Sequence, residues 1–194
     1  MKLRYVFLLI LILGLCFFPA LNQKSYTTTK YFYRYFRTEP VVWKPKLPMC
    51  VEYMNKPEVY SENFSRELLN EFKALSKVSA FENCRKSNVY IEFGKRTTLS
   101  YLLGNNALAA TLVKYDPLNP QFIIGAEIQV DTEAFKNLQA KTRKALILHE
   151  LGHVLGFTHS LDGYLMNPVI NYVKEEKYSP TGMLMLVSKE RLLK

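Results

Sequence analysis

The stretch HELGHVLGFTHS, from His149 to Ser160, holds every histidine of a 194-residue chain: His149, His153 and His159. On an α-helix, residues four apart lie nearly one above the other. His149 and His153 therefore leave such a helix from one face, at a separation that suits two ligands of one tetrahedral zinc ion. Gly156 is where the helix should end, because glycine tolerates the left-handed conformation that turns a chain at a helix C-terminus. Beyond that turn, Phe157 and Thr158 can bring a third imidazole, His159, back to the same ion. Three imidazoles leave a fourth position open, as in a catalytic zinc site; a structural site usually completes its shell with thiolates. Glu150 directly follows His149, and its carboxylate can reach a water at the metal without itself being a ligand. Ile147, Leu151 and Val154 line another side of the helix, free to bury against a sheet.

Outward from this helix, expected over roughly residues 140–155, the chain alternates strands and helices. AEIQV (Ala126, Ile128, Val130), NVYIEF (Val89, Ile91, Phe93) and MCVEY (Met49, Val51, Tyr53) each alternate as half-buried strands do. Between the latter two, SENFSRELLNEFKALSKV sets Phe64, Leu68, Phe72 and Leu75 at helical spacing. ALAATLV, between the turn signal at 104–106 and the Pro117–Pro120 loop, reads as a further short strand. Ser179 and Pro180 form an N-cap and first-turn pair, which predicts a last helix through MLMLVSKERLL. The sum is an α/β (α+β) domain, a mixed sheet with helices packed on it. A strand–helix–strand unit makes its strands parallel, with their starting ends on one edge. Cys50 and Cys84 sit at those ends, so a disulfide between them is expected, with two unlinked thiols as the alternative.

The N-terminus, MKLRYVFLLILILGLCFFPALNQKS, places Lys2 and Arg4 before an apolar run from Tyr5 to Leu21. That is a signal peptide or an uncleaved signal anchor. The run falls short of the ~20 residues of a spanning helix, yet Phe18 is bulky where a cleavage site at Ala20 wants a small residue. Either reading makes the protein extracellular, secreted or tethered to the membrane, in a setting where disulfides persist. The expected division is a leader over 1–21, an extended Thr-, Tyr- and Pro-rich linker over 22–46, and one catalytic domain over 47–194. A hydrophobic content of 48% is ample for a packed core. The net charge of +9 raises the question of nucleic acid. The basic residues are scattered, however, with no helix-turn-helix, RNA-binding aromatic signature or phosphate loop, so nucleic acid is not an expected partner.

The full pattern H-E-x-x-H-x-x-G-x-x-H resembles the metzincin zinc proteases. These carry a methionine in a tight turn beneath the metal, and LMNP supplies Met166. The pair His159-Ser160, the turn Leu165-Met166-x-Pro168 and the strand GAEIQVDTE are similar to the matrixin, or matrix-metalloprotease-like, group. The resemblance covers roughly 47–194, with its specific motifs between Gly125 and Pro168. It implies a zincin fold: a mixed twisted sheet, an active-site helix, a Met-turn and a C-terminal helix. It implies one catalytic zinc and Glu150 as general base. By the same resemblance ALAATLV is an edge strand that holds substrate by β-augmentation along Leu108, Ala109 and Ala110. Pro168, Val169 and Ile170 then wall the pocket for the residue after the scissile bond. Three features depart from the group. No histidine remains for a second, structural zinc; Gln23–Lys46 is short for an inhibitory propeptide and holds no switch cysteine; and Pro168 stands where astacin-like enzymes place a tyrosine.

The expected function is a monomeric zinc endopeptidase acting on protein or peptide substrates. The alternatives are a zinc amidase acting on peptidoglycan or another non-protein amide, and a non-catalytic surface binding module. Glu150 argues against the module, which has no need of a base beside a metal.

Overall fold

Apolar residues at every second position produce a sheet with one buried face and one open face. A computed structural model describes residues 41–95 and 107–180, and within them six strands form a single mixed sheet. The strands are β1 (Val42–Trp43), β2 (Met49–Met54), β3 (Ala80–Glu82), β4 (Val89–Gly94), β5 (Ala109–Tyr115) and β6 (Phe122–Asp131). The helices are α1 (Glu62–Ser76), α2 (Thr132–Asn137) and α3 (Ala140–Leu155). Across the sheet the order is β5-β6-β4-β2-β3, with β1 beside the first residues of β6. Every pairing is parallel except that of β5, which runs antiparallel to β6.

Register decides what each face carries, because directly opposed residues project to the same side. Val51, Val89 and Ala126 form one row; Tyr53, Ile91, Ile128 and Thr111 form the next; Phe93, Val130 and Ala109 form a third. Ile91, Ile128, Val89 and Ala126 are fully buried. Against this face α1 and α3 lay Leu68, Leu69, Phe72, Ile147, Leu148, Leu151 and Val154. The opposite face bears Tyr90, Glu92, Glu127 and Gln129, with Lys114 paired to Glu127 at 2.6 Å. The molecule is thus a two-layer α+β domain, as the sequence indicates. No helix among the described residues is long and apolar enough to cross a membrane.

Helix α1 begins where the Ser61 hydroxyl accepts the Phe64 N–H and ends at Lys77, whose left-handed backbone donates its N–H to the Lys73 carbonyl. Of the expected stripe, Leu68 and Phe72 are buried, while Phe64 and Leu75 are half-buried and Leu69 joins them inside. The stripe is wider than a single face because α1 touches both β3 and α3.

Two features differ from the sequence reading. The chain leaving α1 first forms β3 outside β2, and only then crosses to β4 on the other side; three residues are too few to show alternation. The linker expected through Lys46 ends sooner, since Val42 and Trp43 pair with Phe122 and Ile123 of β6 and are 2% and 4% exposed. The Trp43 indole donates to the Leu47 carbonyl at 2.8 Å, and Lys44 pairs with Asp116 at 2.7 Å. Three apolar residues, Val41 to Trp43, between prolines carry no readable period, so only β6 assigns them a place. The leader, the remaining linker residues to 40, the turn at 104–106 and the last helix beyond Pro180 lie outside the described residues.

Cys50 and Cys84 are joined, with Cα atoms 5.9 Å apart, across a separation of 34 residues. Closing a loop of that size restricts the unfolded chain by about 3–4 kcal/mol. The double variant Cys50→Ser, Cys84→Ser is expected to lose most of that stability, read as a lower urea midpoint. An unchanged midpoint would show the bridge to be incidental.

Candidate metal centre

Helix α3 stops at Gly156, whose φ of 101° is left-handed and whose N–H meets the Gly152 and His153 carbonyls. A side chain here is excluded twice, by that conformation and by the Val41 carbonyl pressed against the same point. The turn carries Phe157 to His159 back over the helix end. As a result the Nε2 atoms of His149, His153 and His159 stand 3.1–3.2 Å from one another. Ligand nitrogens on a tetrahedral zinc lie about 3.3 Å apart, given Zn–N bonds of about 2.0–2.1 Å.

Proton placement supports the same reading. His149 Nδ1 lies 2.6 Å from the Leu165 carbonyl and His153 Nδ1 lies 2.9 Å from the Phe157 carbonyl. A carbonyl only accepts, so both Nδ1 atoms carry the proton and both Nε2 atoms present lone pairs. Lone pairs converging at such distances repel unless a cation lies among them. The donor set therefore fits a metal ion.

Burial pushes His149 and His153 down to about 4, and lowers His159 in the same direction. The imidazoles are neutral at pH 7, the form that binds metal. Metal-free protein is accordingly expected to lose stability on acidification, because the unfolded chain takes up protons that the buried rings refuse. The two-histidine contribution is complete above the unfolded value of 6.5 and is lost as the pH falls toward about 4. Urea midpoints measured across that window check it; a flat profile would contradict the buried, neutral assignment.

Under the helix, Met166 is 3% exposed and packs with Tyr178 against Gly152. A Cβ on Gly152 would meet the Tyr178 ring at 2.8 Å and collide with the Met166 sulfur. The Tyr178 hydroxyl donates to the Leu148 carbonyl at 2.7 Å, and its ring stacks on Phe157 with centroids 4.8 Å apart. The loop around Met166 also ties two of the histidines together. The Leu165 carbonyl holds His149, and the Met166 carbonyl accepts the N–H of Ser160, next to His159, at 3.0 Å.

Glu150 is 4% exposed on α3. Burial raises its carboxyl above the usual range, opposed by His149 and by the hydroxyl of Thr111. Thr111 Oγ1, on β5, lies 2.5 Å from Glu150 Oε2.

The other residues singled out by sequence are placed unevenly. Leu108 and Ala109 are half-buried at the β5 end near α3, and Ile170 opens a 3-10 turn (Ile170–Tyr172) packed on α3. Pro168 and Val169 are exposed, on a loop braced by Asn167, which donates to the Asp162 carbonyl and accepts the Val169 N–H. Ala110 pairs with Gln129 on the opposite face from Thr111 and is 3% exposed, so strand alternation turns its side chain away from α3 while its backbone stays in β5. Sequence reasoning misses Thr111, Gly152 and Tyr178. Of these, Gly152 does leave a signal: a glycine inside a helix costs about 1 kcal/mol relative to alanine and needs a reason.

The matrixin family model matches residues 43–182. The match starts within β1, in the stretch expected to be linker, and spans all three histidines, Glu150 and Met166. No curated protein sequence matches the chain significantly.

Proposed function

The chain belongs to the matrixin family of metallopeptidases, and we propose that it is a zinc-dependent endopeptidase that cuts extended protein or peptide segments. The observation that carries this reading is the triangle of imidazole nitrogens, 3.1–3.2 Å on each side, with a buried carboxylate on the same helix. His149, His153 and His159 hold a single zinc ion. When bound, zinc supplies Lewis-acid polarisation of the scissile carbonyl and makes water acidic enough to ionise near neutral pH. Glu150 takes a proton from the attacking water as its oxygen bonds to the carbonyl carbon. It then delivers that proton to the amide nitrogen as the C–N bond breaks.

Substrate binding follows from the sheet edge. Among the described residues β5 pairs only with β6, so its outer edge can add an extended peptide as a further strand. Leu108, Ala109 and Ala110 run along that edge. Pro168, Val169 and Ile170 wall the pocket for the residue after the cut. Met166 serves as the supporting turn beneath the metal. The protein acts as a monomer outside the cytosol, secreted or held by its leader, and the Cys50–Cys84 bridge supports that location.

Digestion of an unbiased peptide library, with and without a chelator, tests the proposal. Cleavage at internal bonds that the chelator abolishes is the expected result. Zinc binding without turnover would point to a binding module, and release of peptidoglycan cross-links alone would point to an amidase.

A further inference from the structure

We infer that Thr111 is a positioning residue for Glu150: its hydroxyl holds Oε2 and so orients the carboxylate that handles the proton. This rests on the peptidase reading above. Thr111 shares a row with Tyr53, Ile91 and Ile128 on the face that packs against the helices, and two of those neighbours are wholly apolar and fully buried. Thr111 itself is half-buried, and a β-branched hydrocarbon would fill its place in the strand equally well, so what distinguishes it is the partner of its hydroxyl. That partner is 2.5 Å away, at Glu150 Oε2. The same hydroxyl lies 3.3 Å from the Glu150 carbonyl, a longer contact that leaves its one proton directed to the side chain.

The chemistry of the two side chains explains the choice. A carboxylate turns readily about its last torsion, whose energy profile is broad. A threonine side chain is stiff at χ1, so its hydroxyl points in a defined direction. Among the described residues no hydrogen bond reaches Glu150 Oε1. With Oε2 fixed by Thr111, Oε1 is the oxygen left to exchange a proton with water and the leaving nitrogen. The tether comes from β5, the strand proposed to bind substrate. A peptide drawn along that edge is thereby registered against the carboxylate that serves it.

The test compares Thr111→Val, which keeps the shape and removes the donor, with Thr111→Ser, which keeps the donor. A hydrogen bond to a charged group corresponds to about a 10- to 100-fold effect. Thr111→Val is expected to lower kcat by that factor, with KM within about twofold and zinc content unchanged; Thr111→Ser should restore most of the loss. A purely structural clamp between β5 and α3 would instead lower thermal stability without this split. Crystal structures of the metal-free proteins give a second readout: Glu150 should keep its rotamer in the wild type and Thr111→Ser, and leave it in Thr111→Val. Should valine disturb the packing, Thr111→Ala removes the same donor without added bulk. Wild-type kcat in Thr111→Val, or an unmoved Glu150, overturns the inference. If the wild type cleaves no peptide, the peptidase reading fails, and the metal-free structures still decide whether Thr111 positions Glu150.

Discussion

Glu150→Gln is expected to lower kcat/KM by about a hundred- to ten-thousand-fold, the range that a positioned general acid–base contributes, while zinc content stays at the wild-type level. Glutamine keeps the length of the side chain and an oxygen for the Thr111 hydroxyl, now 2.5 Å from Oε2. It removes the ability to take up and release a proton. The fold has no reason to suffer. Burial raises the Glu150 carboxyl, so the ionised form is held in the folded protein at a cost that a neutral amide does not bear. The variant should therefore unfold at the same urea concentration as the wild type or a higher one at pH 7. Steady-state cleavage of a library-derived peptide, metal analysis and a urea titration make the comparison. A Glu150→Gln protein that cleaves at the wild-type rate would place the base elsewhere.

His153→Ala should fail differently, losing metal and hydrolysis together. His153 supplies one corner of the nitrogen triangle, at 3.2 and 3.1 Å from its partners, and its Nδ1 fastens the Phe157 carbonyl just past the helix end. Removing an outer partner of a metal ligand already costs about 10- to 100-fold in affinity. Loss of the ligand itself should reduce zinc affinity by at least about 100-fold, with activity below that left in Glu150→Gln and no further effect of a chelator. Competition against a chromophoric chelator measures the affinity, and far-UV circular dichroism checks that α3 persists. Retention of zinc at wild-type affinity would exclude His153 from the ligand set. Together the two variants separate the group that moves protons from the groups that hold the ion.

Much of this site is legible in the spacing of its residues along the chain. His149 and His153 share a helix face, Gly156 ends that helix, and His159 comes back over it, all as spacing indicates. The alternating residues Val89, Ile91 and Phe93, and Ala126, Ile128 and Val130, are the buried ones. Ala110 marks the limit of such reading. The strand lies where the sequence places it, but only its register with β6 shows that Thr111 faces α3 and Ala110 does not.

What the sequence determines by itself is whatever a local period encodes: which residues share a helix face, which share a strand face, where glycine permits a turn, and hence that the imidazoles and the carboxylate are neighbours. What only the tertiary structure decides is contact between segments with no common period. Thr111 meets Glu150 across 39 residues, the Leu165 carbonyl orients His149 across 16, and Val42–Trp43 find a strand partner in β6. The reason is physical. Helix and strand repeats are written by backbone geometry over a few residues, whereas the partner of a hydroxyl or a carbonyl is chosen by how whole elements pack.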